Sequence, residues 1–324
     1  MFLSIFWFIF GLALILVGAN ILTDGAASLA KRLGISDLVV GLTIVAFGTS
    51  APELVISVIS AAEGNSDIAI GNVVGSNIFN ILMIIGITSL IRPIIIKKNV
   101  LTREMPMLLL SSIILFILGN SAYINHSGIN EITRVDAIIL LILLGIFLTY
   151  TYVTARKNKE TLPLDSTIIE DEKKEPTKFR STLYIIVGLG GLIFGGDKFV
   201  DAAVSIAKAF NISDAIIGLT IVAFGTSLPE LATSVIAAIK GKPGLAVGNV
   251  IGSNILNILL ILGCAGTIKN LPFGNIDNFE LITLLIASFA FYFFGWFFRK
   301  RTITRVEGFI LVSFYVIYTI LLLI

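Results

Sequence analysis

The sequence predicts an all-α polytopic membrane protein in which ten transmembrane helices form two inverted-topology repeats of five. Of its 324 residues, 56% are hydrophobic and only 14% are charged, whereas a soluble domain carries roughly 25% charged residues. Apolar runs of about 17–25 residues recur along the chain, which is the length of a bilayer-spanning helix. The two halves also share long, nearly identical motifs. A transmembrane β-barrel is excluded because its segments would be shorter and would alternate in hydrophobicity.

The apolar runs define the helices in chain order. The first run, Leu3–Ser28, has neither a basic leading segment nor a small-residue cleavage site, so we predict a spanning helix rather than a removable signal peptide. The other predicted spans are Asp37–Ala61, Ile68–Leu90, Met105–Gly119, Val135–Val153, Thr182–Ala207, Asp214–Ile239, Leu245–Ile268, Phe279–Phe297 and Val306–Ile324. A polar linker, 155–181, separates an N-terminal repeat, 1–154, from a C-terminal repeat, 182–324.

Two polar motifs show that the halves are duplicates. GLTIVAFGTSAPEL at 41–54 returns as GLTIVAFGTSLPEL at 218–231, and GNVVGSNIFNIL at 71–82 returns as GNVIGSNILNIL at 248–259. Both pairs are separated by the same offset of 177 residues. Each repeat therefore carries one copy of a motif segment, 41–82 and 218–259, and the best-preserved part of the chain is polar sequence within apolar surroundings.

The basic residues predict how the helices cross the cell membrane. If the N-terminus is extracellular, 19 of the 23 Lys and Arg residues fall in cytoplasmic connections, including the central linker. Both termini are then extracellular. Because each repeat has an odd number of spans, the second repeat crosses the membrane upside down relative to the first. Inverted repeats of this kind are typical of secondary transporters, with the substrate site near the bilayer midplane.

Two glutamates lie deep in predicted spans of the repeated motifs. A carboxylate near the bilayer centre is unfavourable by at least ~2.5 kcal/mol and marks a functional site. The motif-bearing spans contain no Lys or Arg that could neutralise Glu53 or Glu230. Positive charge must therefore come from bound cations or protons, which favours cation transport and disfavours anionic substrates.

Other oxygen-bearing side chains share helix faces with these glutamates, because residues spaced by about four positions lie on one side of a helix. Oxygen ligands of this kind suit hard cations such as Ca²⁺ and Na⁺. The predicted faces comprise Thr49, Ser50, Glu53 and Ser57; Thr226, Ser227, Glu230 and Ser234; Asn72, Ser76 and Asn80; and Asn249, Ser253 and Asn257.

The motifs also contain helix-breaking residues and lack soft metal ligands. Pro52 and Pro229 each precede a glutamate, and a proline inside a helix removes one backbone hydrogen bond and bends the helix. A carbonyl freed in this way is tolerated at membrane depth where a cavity or ligand meets it. The only histidine, His126, lies in a predicted extracellular loop, and the motifs have no cysteine. Zinc, copper and iron are therefore disfavoured, and Mg²⁺ fits less well than Ca²⁺ because it demands a tight octahedron.

The sequences GTSAPE with GNVVGSNIFN, and GTSLPE with GNVIGSNILN, resemble the two α-repeats of the calcium/cation antiporter superfamily, most closely its prokaryotic sodium/calcium exchangers. The resemblance covers essentially the whole chain and implies the sodium/calcium exchanger fold. It implies that Glu53 and Glu230 bind both Ca²⁺ and Na⁺, and that the first and sixth spans are long, tilted sliding helices. The further ligands that it implies are the side chains of Thr49, Ser50, Ser76, Asn80, Thr226, Ser227 and Ser253 and the main-chain carbonyls of Ala46 and Ala223.

One departure from the family restricts which ions are expected to drive Ca²⁺ transport. Some relatives, including potassium-dependent ones, carry an aspartate where this chain has Asn257, so the site here contains Asn80, Asn257 and only two carboxylates. The missing carboxylate favours Na⁺ alone as the coupling ion, without cotransport of K⁺. Proton/calcium exchange is the alternative, because a glutamate in a dry site can titrate. The linker also lacks the large calcium-sensing domains of animal exchangers.

Other classes of protein fit the sequence less well. A cation channel that uses the glutamates as a filter has no need of inverted repeats, and an enzyme is disfavoured because the motifs hold no nucleophile and base pair. We expect no cofactor and no nucleic-acid partner, only Ca²⁺, Na⁺ and the bilayer, and a functional monomer. Asp24 and Asp201 are also repeat-matched and are interpreted as interfacial anchors, with a role in ion entry as the alternative.

Overall fold

A computed structural model of the chain describes residues 2–122, 128–160, 177–210, 223–298 and 301–323. Within these ranges, eight helices are long and apolar enough to cross a membrane, or nine if one bent pair counts as a single span. The prediction of an all-α membrane protein is confirmed. The predicted span Asp214–Ile239 begins outside the described ranges, so the count of ten spans stays a prediction.

The elements follow the predicted spans closely and extend several of them. The helices of the first half are α1 Phe2–Leu33, α2 Asp37–Thr49, α3 Ala51–Glu63, α4 Ser66–Ile91, α5 Val100–Gly119 and α6 Arg134–Glu160. Those of the second half are α7 Lys178–Ala209, α8 Ala223–Thr226, α9 Leu228–Ile239, α10 Pro243–Ile268, α11 Asn278–Phe297 and α12 Arg305–Leu323. Four two-residue strands are β1 Ile94–Ile95, β2 Glu131–Ile132, β3 Leu271–Pro272 and β4 Thr302–Ile303. Most of the predicted linker, 155–181, lies outside the described ranges; its ends continue α6 and begin α7.

Helices α1 and α7 are the two longest, at 32 residues each. Such a helix is about 48 Å long, well beyond a hydrocarbon core of about 30 Å, so each must tilt or protrude from the bilayer. They pack against each other through glycines: Gly18 and Gly188 approach so closely that a Cβ on either would meet main-chain atoms of the other helix at 2.8 Å or less. Small residues allow this close approach in membranes.

The helix that carries the first motif is broken as the prolines predict. The axes of α2 and α3 differ by 48°. The break falls at Ser50, whose φ of −83° and ψ of 7° leave the helical region, and Pro52 lies in the first turn of α3. Ser227 has nearly the same backbone angles, −89° and 5°, before Pro229 in α9. Both prolines therefore begin a helix, where their missing N–H is tolerated.

The short strands and the starts of α6 and α12 relate the two halves to each other. Strand β1, after α4, pairs with β4 before α12, and strand β3, after α10, pairs with β2 before α6. Each pair thus joins one half to the other in the same way. Thr133 and Thr304 start α6 and α12 alike, because each hydroxyl donates to a carboxylate three residues later, Asp136 or Glu307.

Helices α4 and α10 form the centre of the molecule, and α10 is almost wholly buried. Each contains a π-helical turn that starts at a motif asparagine, Asn80–Ile84 in α4 and Asn257–Ile261 in α10. A π-helical turn is rare and is frequently found at a functional site. The fold therefore places the repeated motifs, with their irregular backbone, at its core.

Candidate cation site

Glu53 and Glu230 lie together in the interior. Both side chains are 0% exposed, and they are close enough for their charges to interact. Neither oxygen of Glu53, nor Oε2 of Glu230, has a hydrogen-bond partner among the described residues. Within these ranges the ion pairs all lie elsewhere. Buried, unpaired carboxylates must be neutralised by a bound cation or a proton, because an isolated charge in a low-dielectric interior is strongly destabilised.

The hydroxyl groups around each glutamate come partly from the opposite half. Ser50 Oγ donates to Glu230 Oε1 at 3.1 Å, and Thr49 and Ser253 also face this carboxylate. Ser227 and Ser76 face Glu53, and their hydroxyls are 3.1 Å apart. Ser50 and Ser227 are repeat equivalents, as are Ser76 and Ser253. The structure therefore brings the predicted serines and Thr49 together around the carboxylates, in a crossed arrangement.

Four predicted neighbours brace the site instead of facing its centre. Asn72 Nδ2 donates to Ser57 Oγ at 2.9 Å and to the main-chain oxygen of Glu53 at 3.2 Å. Asn249 does the same in the second half, to Ser234 Oγ at 3.1 Å and to the oxygen of Glu230 at 3.4 Å. These amides tie α4 to α3 and α10 to α9. Hydrogen bonds of this kind hold membrane helices together.

Asn80 and Asn257 are both 0% exposed. Neither amide atom of Asn80, nor Oδ1 of Asn257, has a hydrogen-bond partner among the described residues. The carbonyl of Ala46 accepts the Ser50 N–H at 3.0 Å and the Thr49 hydroxyl at 3.4 Å. A cation ligated by Ala46 would therefore have to displace one of them. Ala223 is the first described residue of α8.

A cavity of about 410 Å³ reaches the site from one side. Its wall runs from Asp67 at the start of α4 and Leu322 near the end of α12 down to Asn72, Ser76 and Thr226. Ser76 and Thr226 are the predicted ligands that border this opening.

On the other side of the site, the equivalent residues are hydrogen-bonded to each other. Thr49 Oγ1 donates to Asn249 Oδ1 at 3.2 Å. Within the described ranges, their repeat equivalents Thr226 and Asn72 form no such bond and line the cavity instead. Gly252 in α10 packs against α2, since a Cβ there would meet Leu42 O at 2.6 Å.

The repeat-matched aspartates lie away from the carboxylates and are about half exposed or more. Asp24 forms an ion pair with Lys240 at 2.7 Å, which joins α1 to the end of α9. Asp201 lies 3.4 Å from Lys198, one turn away on α7. Among the described residues, no group of three or more His, Cys, Asp and Glu could hold a metal ion.

The helix faces predicted from the sequence do not include two buried asparagines. Asn77 and Asn254 are 0% exposed, and each lies one position beyond a predicted serine in the GSN sequence. Asn77 Oδ1 accepts a hydrogen bond from Asn257 at 3.0 Å. The signal that could have identified both residues is their identity in the two repeats.

Comparisons with known proteins identify the family. The model of the family described as sodium/calcium exchanger protein matches residues 3–153 and 180–324. CaxA of Alkalimonas amylolytica is 38% identical over 322 residues, covering 96% of each chain. The sodium/calcium exchanger MaX1 of Methanosarcina acetivorans is 31% identical over 341 residues, also covering 96% of each. A solved structure of the sodium-calcium exchanger NCX_Mj superposes with a TM-score of 0.80 at 34% identity, covering 97% of both chains. The chain therefore belongs to the sodium/calcium exchanger family and is a multi-pass membrane antiporter of a cation against Ca²⁺.

Proposed function

We propose that this protein exchanges Na⁺ for Ca²⁺ across the cell membrane at one shared site centred on Glu53 and Glu230. The observation that carries the proposal is the complete burial of these two carboxylates in the same part of the interior, with three of their four oxygens unpaired within the described ranges. One Ca²⁺ or two or more Na⁺ would neutralise them. MaX1 and NCX_Mj are both named as sodium/calcium exchangers, which favours Na⁺ as the coupling ion.

The proposed ligands are oxygens only. In addition to the two carboxylates, they are the side chains of Thr49, Ser50, Ser76, Asn80, Thr226, Ser227, Ser253 and Asn257 and the carbonyls of Ala46 and Ala223. Ca²⁺ binds six to eight oxygens in flexible geometry, and carboxylates, amides and carbonyls all serve. Na⁺ suits the same hard oxygen donors. Because both ions need the same carboxylates, occupancy by one excludes the other, and this competition couples the fluxes.

Transport would proceed by alternating access between two inverted repeats. The crossed strand pairs, the matching starts of α6 and α12 and the crossed serines all support a two-fold relation between the halves. The cavity opens beside Asp67 and Leu322, on the side that the basic-residue distribution assigns to the exterior. We therefore propose that this form faces outwards. An empty site with two negative charges would resist passage through an occluded state, and this resistance enforces exchange.

Sodium-gradient uptake tests the proposal directly. The full chain is reconstituted into sodium-loaded liposomes, which are diluted into sodium-free medium containing ⁴⁵Ca²⁺. We expect uptake that collapses when internal Na⁺ is replaced by choline. Uptake that follows an imposed pH gradient instead would support proton/calcium exchange, and uptake that needs no counter-ion would support a channel.

The carboxylate site is tested in the same vesicles. Glu53→Gln and Glu230→Gln keep the shape of each side chain but remove its charge, so each should reduce uptake to background. Glu63→Gln changes an exposed carboxylate ten residues further along the chain from Glu53 and should leave uptake unchanged. Full flux in either buried variant would refute the assigned site.

A further inference from the structure

A chain of amide groups connects the main chain of α10 to the predicted ligand Asn257. Asn77 Nδ2 donates to the main-chain oxygen of Asn254 at 3.2 Å. Asn257 Nδ2 donates to Asn77 Oδ1 at 3.0 Å and to Ser76 Oγ at 3.2 Å. Asn77, Asn254 and Asn257 are 0% exposed, so water does not compete for these bonds.

The main-chain oxygen fixes the direction of every bond in this chain. A carbonyl can only accept, so the Asn77 side chain must present its NH₂ group to Asn254. Its Oδ1 then faces Asn257, which must present NH₂ in turn. Both N–H bonds of Asn257 are thereby used, by Asn77 and Ser76. Oδ1 of Asn257 remains as a buried acceptor with no partner among the described residues.

This direction matters because an amide has two ends of opposite polarity and nearly equal shape. With Oδ1 free, Asn257 offers a cation its negative end; reversed, it would present an NH₂ group that repels the cation. A carboxylate would need no such control, because it accepts on both sides. A protein with an asparagine at this position therefore needs a neighbouring residue that fixes the orientation of the amide.

The repeat-equivalent pair, Asn254 and Asn80, does not form the corresponding hydrogen bond within the described ranges. Asn254 Nδ2 donates to the main-chain oxygen of Val250 at 2.8 Å, and its Oδ1 has no partner among the described residues. Both amide atoms of Asn80 are likewise unpartnered there. Of the two proposed asparagine ligands, Asn80 and Asn257, only Asn257 has its amide oriented by hydrogen bonds within the described ranges.

We propose that Asn77 is a positioning residue for Asn257: it holds the Asn257 amide with its oxygen available to the transported cation. This inference rests on the proposed function and assigns a role to a residue outside the proposed ligand set. Loss of Asn77 removes no ligand. It leaves the Asn257 amide free to reverse, and the affinity for Ca²⁺ falls.

The experiment compares Asn77→Ala with the parent chain in the sodium-gradient vesicles and measures KM and kcat for ⁴⁵Ca²⁺ uptake. We expect KM to rise about 10-fold and kcat to change less than 2-fold. Asn77→Ser should raise KM to the same extent as Asn77→Ala, because the serine side chain is too short for its hydroxyl to reach Asn257. It replaces the alanine variant if that variant does not fold. Ser112→Ala is the control, since it removes another buried hydrogen bond between the halves, to Ser288 at 3.0 Å, and should keep KM.

The decisive comparison is made in the Asn257→Asp background. A carboxylate offers oxygen in either orientation, so adding Asn77→Ala there should leave KM unchanged or lower it. Equilibrium ⁴⁵Ca²⁺ binding to the purified variants gives the same comparison without flux. An unchanged KM for Asn77→Ala, or an equal rise in both backgrounds, would overturn the positioning role. Absence of sodium-dependent uptake in the parent chain would instead overturn the proposed function.

Discussion

The contact between α1 and α7 yields a prediction with an internal control. Gly188 and Gly190 lie two residues apart on α7. A Cβ at Gly188 would meet Leu22 N at 2.6 Å and Gly18 O at 2.8 Å, whereas a Cβ at Gly190 would meet no described atom within 4 Å. Gly188→Ala should therefore separate the two helices, and Gly190→Ala should not.

The expected size follows from these contacts. Both atoms that block the Gly188 site belong to the main chain of α1, so no side chain can rotate away. An ordinary van der Waals contact needs about 3.5 Å or more, so α1 must shift by roughly 1 Å. Overpacking of this kind destabilises by about 1–3 kcal/mol, which changes an equilibrium by roughly 5- to 150-fold. At Gly190, alanine has the better helix propensity, by up to about 1 kcal/mol.

Thermal unfolding of the purified variants in detergent measures the difference. Gly188→Ala should lower the transition temperature, and Gly190→Ala should leave it unchanged or raise it slightly. A second pair repeats the comparison further along α7: a Cβ at Gly195 would meet Gly11 O at 2.9 Å, and one at Gly196 would meet no described atom within 4 Å. Equal losses of stability within either pair would refute the close-packing argument.

Two further predictions concern parts of the fold outside the site. Asp24→Asn breaks the ion pair with Lys240; the Asp24 side chain is 50% exposed and the Lys240 side chain 23%. Because a partly exposed pair contributes less than about 1 kcal/mol, the melting temperature should fall only slightly. A large fall would show that the ion pair is a main attachment of α1 to the rest of the fold. Thr304→Val removes the hydroxyl that accepts from the Val306 N–H at the start of α12 and donates to Glu307, so it should destabilise the fold by about 0.5–2 kcal/mol. Thr149→Val, which loses only a bond to Gly145 O within α6, is its control, and equal effects would argue against a capping role.

Much of the site could be predicted from the sequence because the relevant patterns are local. The prolines predict the break at Ser50, and the spacing of Ser76 and Asn80 predicts one helix face. Burial of Glu53 and Glu230 follows from their positions in apolar runs, and the structure finds both at 0% exposure. These inferences need only helix geometry and the energetics of charge in a membrane.

The differences between the halves could not be predicted, because the two motifs are almost the same. Thr49 with Asn249, and Thr226 with Asn72, are identical pairs in sequence, yet only the first is bonded among the described residues. A sequence with internal symmetry cannot tell which of two equivalent contacts forms. The π-helical turns at Asn80 and Asn257 were also missed, since the residues there fit an ordinary helix equally well.

The few positions where the repeated motifs differ are where a preference between facing states can arise at the site. If the halves exchange equivalent contacts during transport, identical residues contribute equally to both states, and their terms cancel in the free-energy difference. The contribution of Phe79 to this free-energy difference does not cancel, because its repeat equivalent is Leu256. Its ring lines the cavity and meets Phe224 and Tyr315 edge-on, with centroids 5.2 and 5.3 Å away. Such aromatic pairs contribute about 0.5–1.5 kcal/mol each, so loss of both contacts in the other form would favour the form with the cavity open. A bound ion need then supply only a few kcal/mol of differential affinity to reverse that preference.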